Sequence, residues 1–283
     1  MTRAIHRHIA LLTGLLGLWS LGAAAPSPSR IAIVAAVSDY NRNAPDLPNL
    51  VFNTKDLISM KQVLEAQGYN VLVLQNANAT ANNLRDALFG LRYLLADPEE
   101  STVLFFFSGH GFAAGNDNYL ATYGATVDQL PQKGLAMNEV KHLLDATGAA
   151  QSMAFIDVCR GTPYRKHSSH RCFARNFAFP SRTKVLFSTS PGQFSYDDPT
   201  QQQGRFAHLL VRGLQGEAAG DDGFISWENL KKFLLVGLRR YSMNDLTLLQ
   251  MPWADDKTSG DFLIGKKLKS DPPEPRAITH RAR

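Results

Sequence analysis

Thr102-Val-Leu-Phe-Phe-Phe-Ser-Gly-His-Gly111 changes character after Phe107. Val103 to Phe107 is an unbroken apolar run; Ser108-Gly109-His110-Gly111 is small and polar. A strand with one wet face alternates apolar and polar residues, so an unbroken run suits a strand covered on both faces, as in a parallel sheet. Similar runs stand at Arg30-Ile-Ala-Ile-Val-Ala-Ala-Val37, Asn70-Val-Leu-Val-Leu74, Ser152-Met-Ala-Phe-Ile156 and Lys184-Val-Leu-Phe187, with Asp261-Phe-Leu-Ile264 as a sixth. Helical spacing falls between them. Leu57, Met60, Val63 and Leu64 precede a stop at Gly68, and Leu84, Leu88, Leu91 and Leu95 follow Asn82-Asn83. Met137 to Leu144, Phe206 to Leu214 and Trp227 to Leu238 complete the set. This alternation predicts an α/β domain built on a mostly parallel six-stranded sheet with helices on both faces.

In open α/β sheets, sites gather at the carboxyl ends of the strands. After the third run stands His110 between two glycines, which predicts an uncrowded backbone and an exposed ring able to move a proton near neutral pH. Alone, it reads more readily as an ordinary polar surface histidine. After the fourth run come Asp157-Val-Cys-Arg-Gly161. A cysteine at a strand's carboxyl end beside Arg160 meets the conditions that favour the thiolate; the competing readings are a half-cystine and a buried inert thiol. The two signals reinforce each other, because consecutive strands in this topology often lie side by side and bring their following loops together.

The ends of the chain differ from the middle. Arg3 and Arg7, the uncharged apolar stretch Ile9–Gly22 and Ala23-Ala-Ala25 have the layout of an export signal over residues 1–25. Its apolar part is short for a membrane span, so no stable anchor is expected. The folded domain is expected over residues 26–265. From Lys266 to Arg283 the chain is basic and proline-rich with little to bury, a disordered tail. The formal net charge is +5. The tail holds +4 of it and the leader +2, leaving the domain near −1. The overall basicity therefore gives no reason to expect a nucleic-acid partner.

His110 and Cys159 in their two motifs, 49 positions apart from 110 to 159, resemble the caspase-like cysteine peptidases, and among them the metacaspases and their bacterial relatives. The resemblance spans roughly residues 30–265. It draws further support from Leu50-x-x-Asn53-x-x-Asp56, Ser188-Thr-Ser-Pro-Gly-Gln193, Asp221-Asp-Gly-Phe-Ile-Ser-Trp-Glu228 and Gln250-Met-Pro252. It implies a caspase-like three-layer fold, a His110/Cys159 catalytic dyad, polypeptide substrates and an oxyanion held by the backbone N–H groups of Gly111 and Cys159. Asp56 and Asp157 match acidic positions of the metacaspase-like pattern, which implies cleavage after Arg or Lys. The resemblance also raises calcium, but Arg160–Lys184 contains no Asp or Glu, so no cofactor is expected. Asp221, Asp222, Asp255 and Asp256 read as turns and caps.

Arg160, Arg165, Lys166, Arg171, Arg175, Arg182 and Lys184 make the stretch after the cysteine strongly basic. Its residues 165–182 are expected to be a self-cleavage segment, with the product in a periplasmic or secreted location. Cys172 lies inside that segment. A Cys159–Cys172 disulfide would silence the enzyme until reduced. The remaining reading is a catalytically silent caspase-fold binding module. The sequence does not specify an oligomeric state.

Overall fold

The structure is a computed structural model that describes residues 29–40, 47–114, 117–158, 181–243 and 248–269. The expected export signal, Cys159, Cys172 and the basic stretch up to residue 180 lie outside the described residues. Along the chain run β1 (Arg30–Ala36), α1 (Asn53–Ala66), β2 (Asn70–Gln75), α2 (Ala81–Gly90), β3 (Thr102–Gly109), β4 (Gly111–Ala114), β5 (Asp117–Leu120), α3 (Leu130–Lys133), β6 (Leu135–Ala136), α4 (Met137–Asp145), β7 (Gln151–Val158), β8 (Lys184–Phe187), β9 (Asp197–Asp198), β10 (Gln203–Gly204), α5 (Arg205–Arg212), β11 (Phe224–Ser226), α6 (Trp227–Tyr241), β12 (Trp253–Asp255) and β13 (Leu263–Lys266).

Six strands form the main sheet in the order β12-β8-β7-β3-β1-β2. All neighbours are parallel except β12, which runs antiparallel to β8. Every residue of β3 is buried, as its unbroken apolar run requires. Alternate side chains divide between two cores. Val103, Phe105 and Phe107 join Leu84 and Leu88 of α2 and Val140 and Leu144 of α4 on one face. Leu104 and Phe106 join Leu57 and Met60 of α1, Phe206 and Leu210 of α5, and Leu230 and Leu234 of α6 on the other. The result is the expected three-layer α/β arrangement.

One expected strand is reassigned. Leu263–Lys266 pairs with β11 in a separate two-stranded sheet, and the sixth strand of the main sheet is the three-residue β12. β12 has no apolar run to announce it. It is held by Trp253 packing on Phe187, with ring centroids 5.6 Å apart, and by a buried Lys141–Asp255 ion pair at 2.7 Å. Asp256 likewise accepts from Trp227 Nε1 and Lys231 Nζ, so this acidic pair is engaged in tertiary contacts rather than a simple cap. Asp222 does cap a turn, accepting from Phe224 N–H. Beyond β13, the Leu268 N–H donates to the Gln215 carbonyl and its side chain packs on the second core.

Strand order reverses between β1, which continues to β2, and β3, which continues to β7. Such a reversal leaves a crevice at the carboxyl ends. β3 and β7 pair in register through Ser108↔Asp157 and Gly109↔Val158. Both strands therefore stop together, and the next residues in sequence are His110 and Cys159.

Candidate active site

His110 occupies the corner between β3 and the β4–β5 hairpin. The Ala121 N–H donates to the His110 carbonyl at 2.9 Å, as an antiparallel ladder demands. The return bond is not direct. The His110 N–H donates to the Tyr40 hydroxyl at 3.0 Å, and that hydroxyl donates to the Ala121 carbonyl at 2.8 Å. Tyr40 is inserted into the ladder, and its ring lies 4.7 Å from the imidazole, tilted 52°. The insertion explains Gly109: a Cβ there would fall 2.7 Å from the Tyr40 hydroxyl.

His110 is 4% exposed, not the open loop residue that its flanking glycines predicted. Gly109 makes room for neighbouring side chains, and Tyr40 and Phe107 take that room, while the Phe112 ring lies 6.2 Å from the imidazole. Nε2 lies 2.9 Å from the Pro48 carbonyl oxygen. A carbonyl only accepts, so Nε2 carries the proton and Nδ1 is the nitrogen left to exchange one. Burial lowers the His110 pKa, opposed by the Pro48 hydrogen bond, which favours a neutral imidazole with a basic Nδ1. Gly111 pairs with Leu120 one step beyond the bonded His110/Ala121 pair. Ladder alternation therefore turns the Gly111 N–H away from β5.

Asp56 and Asp157 come from α1 and the end of β7 and face the same point. A Cβ on Gly204 would lie 3.1 Å from Asp157 Oδ2 and 3.2 Å from Asp56 Oδ2. The Gly204 N–H donates to the Asp56 carboxylate at 3.1 and 3.3 Å. The Ser195 hydroxyl donates to Asp157 Oδ1 at 2.7 Å, and Ser195 in turn accepts from Gln250 Nε2 at 3.1 Å. Asp157 Oδ2 is buried with no hydrogen-bond partner. Burial, then the Asp157 charge, pushes Asp56 up to about 8. Burial pushes Asp157 up to about 6, partly offset by its Ser195 hydrogen bond. Asp197 repels both and sits directly across the β9–β10 pair from Gly204. Motif reading did not pick out Tyr40, Pro48, Ser195, Asp197 or Gly204; each matters through partners distant in sequence. Among the described residues, no group of three or more His, Cys, Asp or Glu side chains is placed to hold a metal ion, and no helix is long and apolar enough to cross a membrane.

The same architecture is found in caspase-1 from Spodoptera frugiperda, with a TM-score of 0.61 over 85% of this chain and 91% of that one, at 18% identity. This establishes the caspase fold. The caspase-domain family model matches residues 29–261, and the chain belongs to that family of cysteine peptidases, whose substrates are polypeptides. No curated protein matches the sequence.

Proposed function

We propose that this chain is an exported cysteine endopeptidase that cleaves after Arg or Lys, using His110 and Cys159. The carrying observation is the in-register pairing of β3 and β7, which ends one residue short of each member of the dyad. Cys159 Sγ attacks the scissile carbonyl while its proton passes to His110 Nδ1, leaving Nε2 bonded to Pro48. The oxyanion is held by the backbone N–H groups of Gly111 and Cys159, donors that typically contribute a few kcal/mol each to lowering the barrier. His110 then gives its proton to the leaving amine, and water hydrolyses the thioester. No cofactor enters these steps. Residues 1–25 support export, and the neutral domain gives no reason to invoke nucleic acid.

The preference for a basic residue rests on Asp56 and Asp157, two buried carboxylates that converge beside Gly204. The dyad is tested by Cys159→Ala and His110→Gln, which retains a donor for the Pro48 carbonyl. Peptide cleavage should vanish in the first and fall about 10²–10⁴-fold in the second. Full activity in Cys159→Ala would refute the dyad.

A further inference from the structure

Gly204 has no backbone reason to be glycine. Its φ of −61° and ψ of 136° are open to any residue. What it provides is space, because a Cβ would sit between the Oδ2 atoms of Asp56 and Asp157. Those contacts at 3.1 and 3.2 Å place the two oxygens no more than about 6 Å apart. One ammonium or guanidinium can span that gap with charge-assisted hydrogen bonds of about 2.8 Å on each side. Asp56 is 1% exposed and Asp157 4% exposed, so neither carboxylate is stabilised by bulk water.

The neighbouring charges do not neutralise the pair. Asp197, opposite Gly204 on β9, is itself acidic, and Arg205 at the start of α5 acts on Asp197. Lys55 on α1 directs Nζ to the Gln201 carbonyl, and His208 on α5 bonds Gln203. The Ser195 and Gly204 hydrogen bonds stabilise the two carboxylates only in part, and a positive group or a retained proton relieves the rest of their burial and mutual repulsion.

We propose that Gly204 sets the specificity of the pocket by leaving room between Asp56 and Asp157, that one of the two carboxyls keeps a proton while the pocket is empty, and that the substrate's cationic side chain enters between them and releases that proton to solvent. This rests on the basic-substrate reading above. It adds that recognition exchanges a cation for a proton, so affinity depends on pH even though the guanidinium does not titrate. The raised pKa values of both carboxyls fit a proton retained at neutral pH.

The experiment uses Cys159→Ala protein and agmatine as the guanidinium probe. Calorimetry in two buffers of different ionisation enthalpy should show close to one proton released per agmatine near pH 7. Affinity should rise about tenfold per pH unit at most, levelling off near the Asp56 pKa of about 8. Gly204→Ala should weaken agmatine binding tenfold or more. Without ligand, carboxyl ¹³C NMR of labelled aspartate should show coupled titration of the pair, becoming a single step in Asp157→Asn. Agmatine bound with pH-independent affinity and no proton release, or bound equally by Gly204→Ala, would overturn the proposal and leave the basic-substrate reading standing. Coupled titration without any agmatine binding would instead overturn the basic-substrate reading, and with it the cation half of the proposal.

Discussion

At the residue scale, three side chains carry the chemistry through their surroundings. Tyr40→Phe removes the hydroxyl bridging His110 and Ala121, leaving a buried N–H and C=O without their partner. That costs about 1–3 kcal/mol of stability. On the proposed mechanism the substitution displaces His110 and not the pocket, so kcat should fall while KM stays near its wild-type value. Equal effects on both would make Tyr40 purely structural. Asp56 makes a pH-dependent prediction of unusual sign. Its folded pKa is raised, so between about 4 and about 8 the native state holds a proton that the unfolded chain has lost, and stability falls as pH rises through that window. Asp56→Asn should therefore raise Tm above pH 8 and lose that advantage near pH 4. Thermal melts across pH check it, and a gain at every pH would contradict the raised pKa. The sequence made the residue types legible, His110 after an apolar run and Asp56 opening a helix. It did not show that His110 is buried, because Tyr40, the residue that covers it, lies 70 positions away.

At the element scale, β3 and β7 were readable because burial on both faces leaves an unbroken apolar run. β12 was not, because an edge strand of three residues needs no such run. Its place depends on Trp253 and on the Lys141–Asp255 pair, whose side chains are 6% and 10% exposed. An inward-facing charge also guards a sheet edge against pairing with another chain. Lys141→Ala leaves Asp255 buried and unpaired, which should cost about 3–5 kcal/mol, whereas Lys141→Met with Asp255→Leu should recover most of the loss. Urea unfolding of the single and double variants measures this; equal losses would mean that the pair is not the anchor. The pocket is coupled to the same edge. Gln250 precedes β12 and holds Ser195, which holds Asp157. Lys141→Ala should therefore also raise KM for arginyl peptides.

At the scale of the whole molecule, positive charge sits at the ends and in the stretch after Cys159, and the rest of residues 26–265 is acidic, with a net charge of −8. β7 and β8 flank that stretch and pair in parallel through Met153↔Lys184 to Ile156↔Phe187. Cleavage within residues 165–182 would leave two fragments joined through the sheet. Incubation of the mature protein should give two masses that co-elute in gel filtration. Processing should be faster with a reductant if Cys159 and Cys172 pair. An active enzyme that remains intact would rule out self-cleavage.

The central claim is a cysteine peptidase selective for a basic residue. The most direct measurement is kcat/KM of the purified mature protein on fluorogenic peptides ending in Arg, Lys, Asp or Asn, beside Cys159→Ala and Asp157→Asn. Wild type should cleave the Arg and Lys peptides and spare the others. Cys159→Ala should be inactive, and Asp157→Asn should lose about tenfold to a hundredfold on basic peptides, the equivalent of a charge-assisted contact of roughly 1.5–3 kcal/mol. Preference for Asp, or equal loss on neutral and basic peptides in Asp157→Asn, would contradict the assignment of the pocket.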